Sequence, residues 1–245
     1  MKKKNITLVF TVVISGFMLM SAFAGTWEQD SVGYWYQNND GSYPVGKLQE
    51  INGQQYQFDF AGYLQAYAPT VLQKQIMEKQ VSPLITGYEM YAGEDLELKS
   101  VNLTDVNMVD LLYSYINREM WWENSVLFNL VGKDEFSNDS IFDKDSTIKH
   151  VSDMFGKPVN ENMIADYSGI VIKDNTITVV PADGEGVAEA KVESYTIEGS
   201  RLRVSLRYEI EYNVEELNTA GKMTAVYVVN PNSFFGYSLE SMKLE

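Results

Sequence analysis

Residues 33–46 read GYWYQNNDGSYPVG, and this run limits how everything near it can fold. Tyr34, Trp35, Tyr36 and Tyr43 crowd around an Asp40-Gly41-Ser42 corner, in a segment too short to own a hydrophobic core and in a chain with no cysteine to staple it. A similar order returns in INGQQYQFDFAGYLQ, residues 51–65, where Gly53 precedes Tyr56, Phe58-Asp59 follows and Gly62-Tyr63 closes the unit. Each unit reads as a small β-hairpin, with the DG and AG corners supplying left-handed backbone positions and alternate aromatics lining one face. A period of about 20 residues belongs to stacked-repeat architectures, whose units bury themselves only against neighbours and need about three members to stand alone. Two hairpins therefore have to dock on another part of the chain or remain a stub.

Gly25-Thr26-Trp27, Gly33-Tyr34-Trp35-Tyr36, Asp40-Gly41-Ser42, Gly46, Gly53, Tyr56, Phe58-Asp59 and Gly62-Tyr63 fall in an order that resembles a known family. It is the choline-binding or cell-wall-binding repeats of Gram-positive surface proteins, whose units run G-W-x-x-x-x-G-x-W-Y-Y-x-x-x-x-G-x-M. The resemblance covers residues 25–65. It implies that quaternary ammonium groups sit in cages of Trp and Tyr rings, whose faces attract a cation without a formal negative charge. Trp27 and Trp35 match the family's two tryptophans, Tyr56 of the next hairpin is placed to close the cage, and Tyr36 is the remaining candidate ring. Leu48 stands where the second unit's Trp would be and Gln55 at the W of WYY, so one cage is implied rather than two. Carbohydrate stacking on the same rings is a related reading, and a layer of Trp27, Trp35, Tyr36 and Tyr56 that only packs is the other.

The chain opens with Lys2, Lys3 and Lys4, an apolar run from Ile6 to Met20, and Ala22-Phe23-Ala24, which together read as a signal peptide over residues 1–24. Cleavage removes three of the 19 basic residues and none of the 34 acidic ones, so the formal net charge moves from −15 to −18. So acidic a chain repels phosphate polymers, which argues against nucleic-acid partners and for cationic or neutral ones. Without cysteine there is no thiol to acylate, and the C-terminus SMKLE carries no apolar tail, so attachment to the surface is expected to be noncovalent, with no membrane anchor after cleavage.

From Tyr67 the texture changes, and Ala66-Tyr67-Ala68-Pro69 marks the boundary of a second domain, residues 66–245. Val71, Leu72, Ile76 and Met77 have helical spacing; a second helix is expected over about 106–131, with Thr104 or Asp105 as cap, and a third over 146–155, closed by Gly156 and Pro158. Beyond Ser168 the period turns to two. Arg201–Tyr212 alternates strictly, and hairpins are expected around Asp174-Asn175, Glu198-Gly199 and Asn230-Pro231-Asn232. The expected class is α+β, with N-terminal hairpin repeats followed by helices packed on a curved antiparallel sheet of the cystatin or NTF2-like kind.

Residues with catalytic potential form no recognisable site. His150 is the only histidine and is expected to pack on a helix. Asp134, Asp139, Asp143 and Asp145 lack calcium-loop spacing and read as a solvated loop, with Asp145 or Ser146 capping the next helix. Glu119 and Glu123 lie on one helical face beside Trp121 and Trp122, whereas glycoside hydrolysis needs carboxyls across a cleft. The sequence thus reads as a secreted protein of a Gram-positive cell surface, targeted to wall choline or polysaccharide, with a non-catalytic α+β domain and no cofactor or metal. The alternative is a secreted enzyme acting on wall or glycan material.

Overall fold

The computed structural model describes residues 25–92, 101–102, 130–133, 140–156, 158, 161–163, 170–179, 186–212 and 219–245. The signal-peptide reading, most of the expected second helix, and the Glu119–Glu123 pair lie outside the described residues. Leu130 and Val131, read as the end of that helix, form a strand instead.

The aromatic segment does make two hairpins: β1 (Thr26–Gln29) with β2 (Tyr34–Gln37), and β3 (Leu48–Ile51) with β4 (Gln54–Gln57). Their tips are not the DG and AG corners. In the first, Asp30 turns the chain by accepting hydrogen bonds from the backbone N–H of Val32 (2.8 Å) and Gly33 (3.2 Å). In the second, Asn52 (φ 52°) and Gly53 (φ 82°) take the pair of left-handed positions that two-residue hairpins require. The Asp40-Gly41 and Ala61-Gly62 corners lie in the loops that follow each hairpin.

Helix α1 (Val71–Ala92) begins at a reciprocal cap: Gln73 N–H donates to Thr70 Oγ1 at 3.2 Å while Thr70 N–H donates to Gln73 Oε1 at 2.8 Å. Its inward face is Ile76, Met77, Val81, Leu84 and Ile85, whereas Val71 and Leu72, expected on that face, sit in the first turn and are exposed. A short β5 (Val101–Asn102), β6 (Leu130–Lys133) and β7 (Ser140–Asp143) precede helix α2 (Lys144–Phe155). The cap of α2 is Asp143 rather than Asp145 or Ser146, because its carboxylate accepts the Ser146 N–H at 2.8 Å. There follow β8 (Ile170–Lys173), β9 (Thr176–Val179), β10 (Gly186–Glu198), β11 (Arg201–Tyr212), β12 (Thr219–Val229) and β13 (Tyr237–Leu244).

These strands form two larger sheets, not one. One has the order β10-β11-β12-β13-β5 and the other β6-β7-β9-β8. The alternation of Arg201–Tyr212 is realised from Arg201 to Glu211, with Leu202, Val204, Leu206, Tyr208 and Ile210 buried and the arginines outside, where Arg201 pairs with Glu240 (2.8 and 2.7 Å) and Arg203 with Glu198. β10 would be an open edge. Helix α1 covers it: Ser82 Oγ accepts the Ala190 N–H at 3.1 Å and Glu78 Oε1 the Val192 N–H at 2.9 Å.

The hairpins share the core of this larger unit. Tyr34, Tyr36, Ile51, Phe58, Leu64 and Ala66 belong to one buried cluster with Val204, Leu206, Tyr227 and Tyr237. Across the junction four consecutive N–H groups each find a different partner: Leu64 to Tyr34 O (2.7 Å), Gln65 to Gln57 O (2.9 Å), Ala66 to Gly199 O (2.9 Å) and Tyr67 to the Tyr237 hydroxyl (3.0 Å). That hydroxyl donates in turn to Tyr67 O at 2.6 Å. One phenol thus satisfies both backbone groups of Tyr67, and its burial drives its pKa well above the ordinary tyrosine value. Replacing Tyr237 by Phe should cost about 2 kcal/mol in urea unfolding, since the Tyr67 groups lose their partner in a part-buried setting. Amide exchange at Tyr67 should quicken with it.

Candidate site on the aromatic hairpins

The register of β1 with β2 decides which rings meet. Trp27 stands opposite Tyr36 and Glu28 opposite Trp35. Opposed residues share a face and neighbours alternate, so Trp27, Tyr34 and Tyr36 point inward while Glu28, Trp35 and Gln37 point outward.

On the inner face Trp27 meets Tyr36 edge-on (5.0 Å between ring centroids), Tyr56 edge-on (4.9 Å) and Phe58 in a stack (5.9 Å). These are ring-to-ring contacts, the edge-on and stacked arrangements in which aromatic side chains pack on one another. Of the four expected cage residues, Trp27, Tyr36 and Tyr56 therefore come together as packing, and Trp35 is not among them. The expected grouping of Trp27, Trp35 and Tyr56 does not form, because one residue of strand register separates two faces.

The outer face carries a second set of rings. Trp35 is half-buried, its ring 6.3 Å from that of Tyr43 at an interplanar angle of 75°, and its backbone bridges to that of Tyr63. Tyr63 follows the AG corner directly and Tyr43 follows Asp40-Gly41-Ser42, so both rings belong to the repeat pattern without being among the expected cage residues. Two glycines hold this surface in place by close approach. A Cβ on Gly62 would lie 2.9 Å from the Tyr43 ring and one on Gly46 would lie 2.7 Å from the Phe60 ring, so each loop lays a ring over the other's glycine. The Tyr63 hydroxyl donates to Asp30 Oδ2 at 2.9 Å, tying the tip of the first hairpin to the loop after the second. The Val32 N–H, joined by the Tyr63 hydroxyl, holds the Asp30 carboxyl below the usual carboxylate range, and the same bond raises the Tyr63 phenol.

No family model matches the chain. A 30-residue stretch, 12% of the chain, is 53% identical to the lysozyme of Streptococcus phage Cp-1 and to that of Streptococcus phage Cp-9, covering 9% of each. Among solved structures, the multimodular pneumococcal cell wall endolysin from phage Cp-1 complexed with choline is 51% identical over 17% of this chain and 12% of that one, at a TM-score of 0.17. The modular Cpl-1 endolysin complexed with a peptidoglycan analogue gives the same identity, coverage and score. The chain spans about a tenth of the length of the curated relatives it matches. A short segment is thus similar to part of endolysins solved with choline and with a peptidoglycan analogue.

Of the other candidate residues, Asp143 and His150 have structural roles, and Asp134 and Asp139 lie outside the described residues. Asp143 caps α2 and accepts from Asn175 Nδ2 at 2.8 Å. Among the described residues no group of His, Asp and Glu is arranged to hold a metal ion, and no helix is long and apolar enough to cross a membrane. His150 is buried on α2 with Phe234 4.4 Å from its ring, and burial, helped by the adjacent Lys149 charge, pushes its pKa down to about 4. The unfolded chain binds a proton on this imidazole near pH 6.5 while the folded one does not, so stability is complete above that pH and falls as pH drops towards about 4. The loss should approach about 3 kcal/mol by calorimetry, and His150→Phe should flatten the slope across that window.

The two faces of the hairpins also make opposite predictions. Trp27→Ala should lower unfolding stability by about 2 kcal/mol, because it removes the ring on which Tyr36, Tyr56 and Phe58 converge. Trp35→Ala should cost less than about 1 kcal/mol in the same urea titration, since its ring is partly solvated.

Proposed function

We propose that residues 25–65 are a cell-wall-binding module that holds an alkylammonium group of the choline type on the outward rings of Trp35, Tyr43 and Tyr63. The observation that carries this reading is the division of labour on β2: Tyr34 and Tyr36 are buried in the common core, while Trp35 between them is left facing out beside Tyr43. A half-buried, outward-facing indole with a phenol at 6.3 Å and 75° to it offers ring faces to a cation, which is attracted to the negative π-face. The carboxylates of Glu28 and Asp30 on either side favour a positive ligand over an anionic one. The short similarity to endolysins, one of them solved with choline, supports the same ligand class.

In this reading residues 1–24 are removed on export, residues 66–245 form an α+β domain of cystatin or NTF2-like character whose role is binding rather than catalysis, and the protein resides at a Gram-positive cell wall. A single module lacks the linked sites that raise the avidity of repeat arrays by about 10²–10⁴, so its affinity should be weak. Titrating choline into the whole chain should change tryptophan fluorescence. The response should vanish in Trp35→Ala and in Tyr43→Ala and persist in Tyr36→Phe. No response to choline, a response that survives Trp35→Ala, or a response to short neutral glucans alone would overturn the assignment.

A further inference from the structure

Glu28 is the direct cross-strand partner of Trp35, and both are half-buried on the outward face. Opposed residues of an antiparallel pair bring their Cβ atoms to within about 4.5–5.5 Å, so the Glu28 side chain leaves the strand beside that of Trp35, within reach of the same ligand. The second carboxylate nearby is already occupied, since Asp30 accepts from the Tyr63 hydroxyl at 2.9 Å, the Val32 N–H at 2.8 Å and the Gly33 N–H at 3.2 Å. Glu28 makes no hydrogen bond or ion pair among the described residues. The outer face therefore combines ring faces, which take any cation, with an acceptor that has capacity to spare.

That acceptor discriminates between cations. A trimethylammonium group has no N–H, and a carboxylate helps it only through space, an attraction that water and salt screen at a half-open surface. A protonated amine can instead donate a charge-assisted hydrogen bond while its carbons lie on the rings. The stronger hydration of a primary ammonium opposes this, but the face is open, so the group keeps water on its outer side. Resting on the alkylammonium reading above, we propose that the ligand is an N–H-bearing ammonium on a short carbon arm, and that Glu28 is the residue that selects it over its trimethylated form.

The test is a methylation series, ethanolamine, N-methylethanolamine, N,N-dimethylethanolamine and choline, titrated into the whole chain with tryptophan fluorescence as readout. Affinity should fall along the series by about tenfold in total, the scale of one charge-assisted hydrogen bond. In Glu28→Gln, checked for an unchanged melting temperature, the series should compress to less than about threefold, with the loss concentrated on ethanolamine. Choline binding tightest to the unmodified chain, or an equal loss for all four ligands in Glu28→Gln, would overturn the proposal and leave the alkylammonium reading standing. Silence towards all four would overturn both. Nα-acetyl-lysine amide binding as tightly as ethanolamine would overturn the short arm and point to a peptide lysine.

Discussion

The structure depends on the burial that two small hairpins cannot supply for themselves. Four strands of four residues each enclose too little volume for a core, and their inner rings are covered only because the chain continues into a domain that accepts them. Phe58 and Leu64 are fully buried and belong to the cluster that also holds Tyr227 and Tyr237. The Tyr34 phenol extends the junction to Asn232 in the β12–β13 turn, and Gln73 at the start of α1 donates to Phe235 O of the same turn at 2.7 Å. Hairpins, helix and sheet are thereby fixed around residues 230–237. The outward rings inherit their geometry from this arrangement, because the strand that presents Trp35 is anchored by the neighbours on its other face.

The larger sheet has its own requirement, which is to end safely. Its first strand, β10, is thirteen residues long with a bulge between Val192 and Ser194, and an uncovered edge of that length would invite pairing with other chains. Glu78 and Ser82, four residues apart on α1, accept two of its outward N–H groups. Ser82 is held for this task by donating to Glu78 O at 2.7 Å, and Lys191 completes the arrangement by reaching the other Glu78 oxygen at 3.2 Å. The helix thus contributes polar contacts to the edge and apolar ones to the core.

What the sequence made legible follows from the range of the forces involved. The strand of Arg201–Tyr212 could be read because alternation is local, and so could the hairpins around Asp174 and Asn230 and the stop of α2 at Gly156. The number of sheets was not legible. β8 and β9 look like members of the later meander until β7 pairs with β9, a contact that spans more than thirty positions. The aromatic module was recognisable from its glycines and rings, whereas the placing of Trp27 and Trp35 on opposite faces of the first hairpin was not. Faces depend on which residues oppose each other across β1 and β2, and a shift of one position exchanges inside for outside. The Asp30 turn sets that register, and its aspartate was not read as a turn residue. Asn52-Gly53 is the strongest short hairpin signal in the module, and it rather than the AG corner forms the tip of the second hairpin.

The four residues 64–67 spend their N–H groups in succession on β2, on the end of β4, on the β10–β11 turn and on a side chain of β13. Such a segment has no slack, and it differs in kind from the glycine- or proline-rich spacers that let a bound domain wander through a volume. Whatever grips the outward rings sets the bearing of the large sheet as well as its location. On a flat support every molecule would stand at the same tilt, and crowded neighbours would meet through the same flank. Orientation, which a flexible tether discards, would here pass from a bound ligand to the domain through four consecutive peptide groups.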